Sequence, residues 1–443
     1  MSRGSASEPL EPLYTAAEML ATEEGHDAGE LMQRAGRAVG DEILARFPEA
    51  RTFAGVYGRG ANGGDGKIAA ELLRSAGWEE RSLGDAEVVI DALFGTGFRG
   101  APREDAEQQI RAVNEAGAAV VAVDIPSGVD ASTGEVPGGA VRAALTVTFH
   151  GRKVGHEVGP GRFRCGEVVV TPIGLEAGPT ENSVATREIL RLVPRRGAEE
   201  TKYTAGSVLV VGGSPGMTGA ACLTAEAAFR ADAGYVAVVA PKESLPVLEA
   251  RLLEAVKRPL EEVWDAVGRA SALALGPGLG REHTDLIRRL LTETDLPVVV
   301  DADALHELGT VERSAPTVLT PHSGELGRLL GEEAAWVESH RLEALGRAVE
   351  RFRCVVLLKG TGTLVGAPGE GVLVCGGSPR LATAGTGDVL TGIVAALLAK
   401  GMEPRLAAAA AARAQTEAAM ETGRAVGMVA SDLLDALPRV LDA

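Results

Sequence analysis

Short runs of aliphatic and β-branched residues alternate with helical stretches along most of this chain, and many of these runs end in a glycine-containing turn. This alternation is typical of parallel sheets, because parallel neighbours need a crossover connection, usually a helix. We therefore predict an α/β fold with parallel, doubly wound sheets. The predicted strands are 53–57, 88–93, 118–123, 145–149 and 168–171, then 208–211, 236–240, 272–275, 298–300, 317–319 and 355–358, followed by a hairpin of 363–365 with 372–374.

The length and composition indicate more than one domain. The chain has 443 residues, of which 57 are glycine and only 3% are aromatic. Such a composition suits small-residue helices that pack closely on sheets, and the length is enough for two or three domains. A polar stretch, 178–203, separates the two series of strands and contains a short helical patch at 187–192. We predict two domains, 1–195 and 196–443.

Charge restricts the partners of this chain. The formal net charge is −17, so we expect it to bind neither nucleic acid nor an anionic membrane. The first dozen residues contain no apolar leader segment, and no run reaches membrane-spanning length. Four widely spaced cysteines without a CxxC pair argue against a zinc site or a disulfide framework and predict reduced, buried thiols. We predict a cytoplasmic location.

A glycine-rich turn follows the first predicted strand of the first half. Residues 58–66 satisfy the pattern G-x-G-x-x-G, which is a weak signal by itself. A dinucleotide-binding fold would then have a second strand with an acidic end about 20 residues further on. Residues 78–82 are too polar for a buried strand, and we expect none there. Asn62 and Asp65 either stabilise the turn or bind a ligand through their side-chain oxygens, and the turn sequence alone does not decide between these two roles.

Two further strands of the first half also end in loops that carry side-chain oxygens. These loops are 91–100 and 124–130. Because the carboxyl ends of parallel strands form one crevice, the three loops predict a ligand site. The oxygens of Asn62, Asp91 and Ser127 are suited to a monovalent or divalent cation.

The order of G-x-G-x-N-G-G-D-G, D-A-L-F-G-T-G and V-D-I-P-S-G resembles the NAD(P)H-hydrate epimerase domain from about Tyr14 to Leu175. The resemblance implies a Rossmann-like three-layer sandwich and a homo-oligomer. It implies that the hydrated nucleotide is held by Ala61, Asn62, Gly63, Gly64, Asp65, Gly95, Thr96, Gly97, Phe98, Arg99, Gly100, Ala101 and Asp124. It further implies potassium at Asn62, Asp91 and Ser127, an acid/base role for Asp124, and substrate contact by Lys153. The chain departs from the family at Ala61, usually a second Asn, and in a shortened stretch at 75–85.

The most informative segment of the second half is Ala-Thr-Ala-Gly-Thr-Gly-Asp-Val at 382–389. Two glycines and a threonine open a long apolar helix, whose free amides attract phosphate. A carboxylate there, Asp388, is placed to accept a proton from a hydroxyl that attacks a phosphoryl group. The alternative is a capped helix whose first turn holds a favourable Asp. We expect the helix dipole to keep Asp388 ionised and to make it a weak base.

Four other motifs stand at predicted strand ends or helix starts. They are 212–220, 276–280, Thr-Pro-His-Ser-Gly-Glu at 320–325, and Lys-Gly-Thr-Gly-Thr at 359–363. Lys359 supplies the cation that an acidic chain needs beside phosphate. His322 caps a helix or reaches a ligand, and the sequence leaves both open.

These motifs together resemble the NAD(P)H-hydrate dehydratase domain, which has a ribokinase-like α/β fold, from about Lys202 onward. The resemblance implies that Ala220, Gly278, His322 and Asp388 contact the hydrated nucleotide. It implies that Lys359, Gly360, Thr361, Gly362, Thr363 and Gly387 hold the adenine nucleotide, and that Asp388 is the catalytic base. ADP is the expected phosphoryl donor, with Mg²⁺ and K⁺. Ser323 and the stretch 378–380 depart from the family's T-P-H-P-G-E and G-N-P.

The combined expectation is a bifunctional enzyme that repairs hydrated NAD(P)H. It would interconvert the R and S hydrates and dehydrate the S hydrate to NAD(P)H, with AMP and phosphate as the other products. One alternative is a ribokinase-like kinase of a small alcohol, whose first domain binds a nucleotide without turnover. A Rossmann oxidoreductase is disfavoured because the second strand is missing.

Overall fold

The structure, a computed structural model, describes residues 8–306, 308–310 and 313–442. Contacts divide it into two compact units, the first built from 12–182 with 338–341 and the second from the remainder. The predicted boundary between residues 195 and 196 stays a prediction. Residues 1–7, which make up most of the first dozen residues, lie outside the described residues, so the expectation of no apolar leader there stays a prediction.

The first unit is an open parallel sheet with helices on both faces. Its sheet order is β3-β2-β4-β5-β6-β8, and each neighbouring pair is parallel. A separate parallel pair joins Leu13 and Tyr14 of β1 to Arg152 and Lys153 of β7. The strands are β1 Leu10–Tyr14, β2 Thr52–Tyr57, β3 Glu79–Glu80, β4 Val88–Ala92, β5 Ala119–Val123, β6 Leu145–Phe149, β7 Arg152–Lys153 and β8 Glu167–Thr171. The helices are α1 Ala16–Glu23, α2 Ala28–Arg46, α3 Ala61–Ser75, α4 Glu104–Glu115 and α5 Val154–Glu157, with 3₁₀ turns at Leu83–Asp85 and Gly161–Arg164.

Alternation along the strands builds the three layers of this unit. Phe53 points to the face that α2 and α3 cover, whereas Ala54 and Val56 point to the face that α4 covers. Strand β4 alternates in the same way, since successive side chains leave a strand on opposite sides. Both faces are therefore buried, which confirms the prediction of a doubly wound, Rossmann-like sandwich.

The polar stretch at 78–82 does hold a strand, so the expectation of none is wrong. Glu79 and Glu80 form β3, which pairs in parallel with Thr52 and Phe53 of β2. Both glutamates are exposed, whereas the indole of Trp78 is buried. A two-residue edge strand needs no apolar side chains of its own, and charges on it discourage pairing with another chain.

The second unit contains a mostly parallel sheet of order β12-β11-β10-β13-β14-β15-β16-β17-β18-β9. Its strands are β9 Asn182–Ala185, β10 Ser207–Val211, β11 Tyr235–Ala240, β12 Val256–Pro259, β13 Ala272–Leu275, β14 Val298–Val300, β15 Thr317–Leu319, β16 Val355–Leu358, β17 Leu364–Gly366 and β18 Leu373–Val374. Its helices are α6 Thr218–Arg230, α7 Leu245–Arg251, α8 Val263–Val267, α9 Thr284–Glu293, α10 Ser323–Leu330, α11 Ala334–Ser339, α12 Arg341–Phe352, α13 Thr386–Ala399, α14 Pro404–Glu421 and α15 Ala430–Asp442. The 3₁₀ turns are Arg187–Leu192, Lys242–Ser244, Leu260–Glu262, Arg281–His283, Ala302–Leu305 and Pro379–Leu381.

The predicted hairpin is present: β17 pairs antiparallel with β18, and β17 also pairs antiparallel with β16. The edge strand β12 was not predicted from its sequence, which includes Lys257 and Arg258. Three of the cysteines are buried as expected, while Cys354 is half-buried. None of the helices in the described ranges combines the length and apolarity that a bilayer crossing requires.

Helix α13 lies in the core of the second unit and packs against α6 and α14. Small residues permit this closeness. A methyl group added at Gly392 would lie 2.2 Å from the carbonyl oxygen of Thr224 in α6. The core around α13 thus fixes the position of the helix start, where Asp388 stands.

Candidate active sites

In the first unit, the loops that follow β2, β4 and β5 meet at one end of the sheet. They border a cavity of about 990 Å³, as expected at the carboxyl ends of parallel strands. Predicted residues that line it are Ala61, Asn62, Asp65, Gly95, Thr96, Gly97, Phe98, Arg99, Ala101 and Asp124. Gly63, Gly64, Gly100 and Lys153 are not among the lining residues.

Gly63 and Gly64 have packing reasons to be glycine. A methyl group at Gly63 would lie 2.1 Å from the carbonyl oxygen of Gly58, and one at Gly64 would lie 2.6 Å from the sulfur of Met32. The two glycines therefore let α3 begin directly beneath the loop and against α2, which places Asn62 and Asp65 at the cavity.

Asp124 and Lys153 form a buried ion pair at the end of β5. The Lys153 Nζ lies 2.6 Å from Asp124 Oδ1 and donates also to the Thr148 hydroxyl at 2.8 Å. Thr148 in turn donates to Asp124 Oδ1 at 2.8 Å. Burial alone would raise the pKa of Asp124, but the charge of Lys153 and its hydrogen bond outweigh burial and lower that pKa. Asp124 is thus a carboxylate at neutral pH. Lys153 does not line the cavity and pairs with Asp124 from within the protein.

The backbone of Asp124 has an unusual conformation that hydrogen bonds hold in place. Its φ is +64°, a conformation that non-glycine residues adopt mainly where the surrounding structure enforces it. The Asp124 amide donates to the Val147 carbonyl at 2.8 Å. His156 Nδ1 accepts from the amide of Lys153, so its Nε2 donates to the Asp124 carbonyl at 2.8 Å. Burial lowers the pKa of His156 to about 4, which keeps this imidazole neutral. Sequence reasoning did not identify His156, because its contact with the Asp124 carbonyl joins residues 32 positions apart.

The three predicted cation ligands of the first unit are brought together. Ser127 donates its hydroxyl to Asp91 Oδ1 at 2.6 Å and its amide to Asp91 Oδ2 at 2.8 Å. Asn62 donates to the carbonyl of Phe94 at 2.7 Å, and the Phe94 amide donates to the Ser127 hydroxyl at 2.9 Å. Burial raises the pKa of Asp91 to about 6. Across the described ranges, no basic side chain is ion-paired with Asp91.

In the second unit, α13 begins at Thr386, directly after Gly385. Gly385 has a φ of +90°, which favours glycine. The helix ladder begins with the Val389 amide, which donates to the Gly385 carbonyl at 3.2 Å. The preceding amides, including those of Gly387 and Asp388, have no carbonyl within the helix to bind. The start of α13 thus has the features of an anion-binding site.

The expectation that the helix dipole makes Asp388 a weak base is wrong. Burial and, after it, the carboxylate of Asp301 raise the pKa of Asp388 to about 7, against the opposing charge of Lys359. Asp303 and Glu325 act in the same direction as Asp301. Desolvation and like charges outweigh a surface-type dipole effect. Asp388 therefore titrates in the range that general base catalysis needs at neutral pH.

Lys359 is held at the mouth of α13 by a residue that the sequence did not single out. Asp301, at the end of β14, is 1% exposed. Its Oδ1 lies 2.7 Å from Lys359 Nζ, and its Oδ2 accepts from the Thr391 hydroxyl at 2.8 Å. A methyl group at Gly387 would lie 3.3 Å from Lys359 Nζ, so the ammonium group stands beside the helix start. The next residue, Ala302, has a φ of +50°. In the sequence, the available signal was an aspartate directly after the predicted strand 298–300.

Ala220, Gly278 and Asp388 are linked through α6. The Thr224 hydroxyl donates to the Ala220 carbonyl at 2.9 Å and lies 3.1 Å from the Asp388 carbonyl. A methyl group at Gly278 would lie 3.2 Å from the methyl group of Ala220. These predicted substrate residues therefore lie close together, beside the helix start.

His322 does cap a helix. Its Nδ1 accepts from the amides of Gly324 at 2.9 Å and Glu325 at 3.3 Å, while the His322 amide donates to the Glu325 carboxylate at 2.8 Å. The imidazole is 55% exposed, so Nε2 remains accessible to a ligand. Capping and ligand contact are therefore compatible roles.

The remaining predicted nucleotide residues form the loop from Lys359 to Thr363 between β16 and β17. The Lys359 amide donates to the Pro321 carbonyl at 2.9 Å, and the Thr363 amide donates to the Gly376 carbonyl at 2.8 Å. A methyl group at Gly377 would lie 2.4 Å from the Thr361 carbonyl. The loop is thus packed at both ends, next to the start of α13.

Together, the fold and the two sites define a two-domain α/β enzyme, one domain of which is built to bind phosphate. A family model described as NAD(P)H-hydrate dehydratase matches residues 208–439. A second model, described as YjeF-related protein N-terminus, matches residues 28–83 and 78–155.

Curated relatives extend over nearly the whole chain. The bifunctional NAD(P)H-hydrate repair enzyme of Moorella thermoacetica is 36% identical, over 93% of this chain and 92% of the relative. That of Coxiella burnetii is 35% identical, over 96% and 97%. The chain belongs to the family of bifunctional NAD(P)H-hydrate repair enzymes. It is an enzyme of metabolite repair with an epimerase and a dehydratase domain, and the kinase alternative is not favoured.

Solved structures agree with this assignment for the second domain. The ADP/ATP-dependent NAD(P)H-hydrate dehydratase of Bacillus subtilis, co-crystallised with ATP and Mg²⁺, is 30% identical, with a TM-score of 0.54 over 58% of this chain and 97% of that chain. A ribokinase-like protein of Enterococcus faecalis, 24% identical with a TM-score of 0.53 over 60% of this chain and 98% of that chain, shares the fold. The predicted ribokinase-like fold is confirmed.

Proposed function

We propose that Asp388 is the base of an ADP-dependent dehydration of S-NAD(P)H hydrate, and that Asp124 serves the epimerisation of the R and S hydrates. The observation that carries the first assignment is the placement of Asp388. It stands at an open helix start beside Lys359, with a pKa raised to about 7 by burial and by Asp301. A base poised near neutral pH beside an anion site suits phosphoryl transfer to a hydroxyl.

The chemistry follows from the leaving group. The hydrate carries a hydroxyl at C6 of the ring, and hydroxide leaves poorly at neutral pH. Asp388 takes the proton of that hydroxyl while the hydroxyl oxygen attacks the terminal phosphoryl group of the nucleotide. The amides at the start of α13 and the ammonium group of Lys359 stabilise the charge on the transferred group. Phosphate then leaves C6 with help from the ring nitrogen, and the nicotinamide ring is restored.

The nucleotide is proposed to lie on Lys359, Gly360, Thr361, Gly362, Thr363 and Gly387, with Ala220, Gly278 and His322 on the side of the hydrate. The close packing of Ala220, Gly278 and the Asp388 segment supports this arrangement. Nucleotide and Mg²⁺ match the Bacillus subtilis relative co-crystallised with both. ADP as the donor, a cytoplasmic location and a homo-oligomer remain part of the proposal.

Potassium is proposed for the site formed by Asn62, Asp91 and Ser127. The fit rests on Asp91, a carboxylate that is 1% exposed and has hydroxyl and amide donors but no ion-paired basic side chain in the described ranges. A monovalent cation would balance this charge through oxygen ligands. Bound there, it would fix the loops after β2, β4 and β5 around the substrate.

The test uses the whole protein with mixed NADH-hydrate epimers, Mg²⁺ and K⁺, and follows absorbance of NADH after addition of ADP or ATP. Full recovery with ADP is the expected result. Recovery that stops at the S fraction, after correction for spontaneous exchange, would contradict the epimerase assignment. Recovery with ATP alone would contradict ADP as the donor, and a stable phosphorylated product would indicate a kinase.

Asp388→Asn separates chemistry from binding. We expect turnover to be abolished while calorimetry still detects nucleotide binding, because the amide keeps the shape but cannot accept the proton. Asp265→Asn, at an exposed position of α8, serves as the control and should behave as the unchanged protein. Near-normal turnover of Asp388→Asn would refute the assignment of the base.

A further inference from the structure

The cavity of the first domain holds two carboxyl groups in opposite environments, Asp65 on α3 and Asp124 after β5. Both line the same space of about 990 Å³. Asp124 is paired with Lys153 at 2.6 Å, whereas Asp65 faces other carboxylates. Pairs of titratable groups whose surroundings separate their pKa values mark acid and base roles in enzymes.

Asp65 is buried, and none of the described basic side chains forms an ion pair with it. It is 7% exposed, and in the part of the chain that the structure describes its Oδ1 has no hydrogen-bond partner. Burial, together with the charges of Asp124 and Glu23, raises the pKa of Asp65 to about 8. The cavity wall also carries His26, Arg59, Arg99, Arg103 and Asp105. Asp65 is therefore a neutral acid at pH 7 that lines the substrate cavity, and its buried Oδ1 is unsatisfied within the described residues.

Asp124 has the complementary property. Lys153 and Thr148 both donate to its Oδ1, and the charge of Lys153 lowers its pKa despite burial. A carboxylate held in this way is ionised and free to accept a proton, although the lowered pKa makes it a weak base, and it has no proton to donate at neutral pH. If Asp124 acts at C6 of the hydrate, the proton for the departing oxygen must come from another group.

We propose that Asp65 is the general acid and Asp124 the general base of epimerisation. This inference rests on the proposed epimerase function and assigns a second catalytic group to the same cavity. The neutral carboxyl of Asp65 donates its proton to the C6 hydroxyl, and the carboxylate of Asp124 accepts a proton from the water that adds to the other face of the ring.

The steps balance as an exchange of water. The C6–O bond breaks as the oxygen takes the proton of Asp65 and leaves as water, while the lone pair of N1 forms a double bond to C6. A second water then attacks C6, and a lone pair of its oxygen forms the new C6–O bond. The electron pair of the N1–C6 double bond returns to N1 as a lone pair. Asp124 takes a proton from the added water. One proton has then moved from Asp65 to Asp124, and solvent returns it. No redox partner is needed.

The test is Asp65→Asn in the whole protein, with exchange of purified R-NADH hydrate as the readout. We expect kcat for epimerisation to fall by about 10²- to 10⁴-fold, the usual effect of losing a general acid. Dehydration of purified S hydrate by the other domain should be unchanged, which shows that the variant is folded and active elsewhere. Asp41→Asn, on an exposed position of α2, is the matched control and should leave both rates unchanged.

The pH dependence distinguishes an acid from a binding residue. Epimerisation by the unchanged protein should decline above about pH 8, where Asp65 loses its proton, and this decline should be absent in Asp65→Asn. A ¹³C titration of the aspartate carboxyls should show a midpoint near 8 that disappears in the variant. A rise in KM with normal kcat, or an unaltered pH profile, would overturn the proposal.

The proposed function and this inference fail in different ways. Exchange by the unchanged protein that is no faster than the spontaneous rate would refute the epimerase function, and the inference with it. Rapid exchange by both the unchanged protein and Asp65→Asn would refute the inference alone.

Discussion

Asp301 Oδ1 lies 2.7 Å from Lys359 Nζ, although the two residues are 58 positions apart in the chain. Asp301 follows β14 and Lys359 follows β16, with β15 between them in the sheet. The second oxygen of the same carboxylate accepts from Thr391, one turn after Asp388 in α13. One buried carboxylate thus positions the cation and contacts the helix that carries the proposed base.

Asp301→Asn should damage the dehydratase although it replaces no residue of the nucleotide loop. The amide cannot hold the Lys359 ammonium group by charge, so the cation would be misplaced. We expect kcat/KM to fall by about 10²-fold, as misplacement near 1 Å does in other enzymes. Loss of the Asp301 charge also lowers the pKa of Asp388, so the acid side of the pH profile should move to lower pH. Steady-state dehydration of S hydrate measures both effects.

Thr391→Val is the milder companion of that change. It removes one hydroxyl that donates to Asp301 Oδ2 at 2.8 Å and keeps the shape of the side chain. Because Lys359 remains paired, we expect a loss of only about 1 kcal/mol in transition-state stabilisation. A loss as large as that of Asp301→Asn would show that the link to α13, rather than the charge on Lys359, sustains activity.

The pH dependence of dehydration should reflect Asp388. Its pKa is raised to about 7, first by burial and then by Asp301. A base must be ionised to act, so activity should be full above pH 7 and should fall about tenfold per unit below it. Rates of S-hydrate dehydration between pH 5.5 and pH 8.5 (approximate limits that bracket this pKa), corrected for the reaction without nucleotide, provide the measurement. A flat profile would contradict the assignment.

Asp65→Asn should stabilise the first domain at neutral pH. The pKa of Asp65 is raised to about 8 in the folded protein, well above the ordinary aspartate value of 3.8. A raised carboxyl pKa contributes stability below the unfolded value, and this stability is lost as pH rises through the folded value. The variant avoids that loss, so its thermal midpoint should exceed that of the unchanged protein at pH 8 and equal it near pH 3.5. The expected gain at pH 8 is on the order of a few kcal/mol. Calorimetry at the two pH values would check it, and equal midpoints at pH 8 would contradict the raised pKa.

Gly392→Ala should destabilise the second domain. The added methyl group would lie 2.2 Å from the Thr224 carbonyl oxygen, and backbone cannot move aside cheaply. Overpacking of this kind costs about 1–3 kcal/mol. Gly346→Ala in α12 has open space around the new methyl group, so it should be neutral or slightly stabilising. Denaturant midpoints of the two variants should therefore move in different directions or by clearly different amounts.

The sequence predicts local structure and loop chemistry here, but not the electrostatics of the sites. The strands that flank the motifs were predicted to within a residue or so, because β-branched runs and glycine turns are local signals. The role of Asp301 was missed because its partners, Lys359 and Thr391, come from other elements. The pKa of Asp388 was misjudged for the same reason, since burial and neighbouring carboxylates appear only in the folded chain. Strand β3 was missed because an exposed edge requires no apolar pattern.

The Thr224 hydroxyl lies between the carbonyls of Ala220 and Asp388. It joins the wall proposed to face the hydrate to the segment proposed to perform the chemistry. A change at Ala220 that moves this part of α6 to admit a bulkier nucleotide would therefore also shift the orientation of the Asp388 side chain. Through Thr224, the shape of the proposed substrate site and the position of the proposed base depend on each other. Selection for a broader substrate range would therefore require compensating changes in α6.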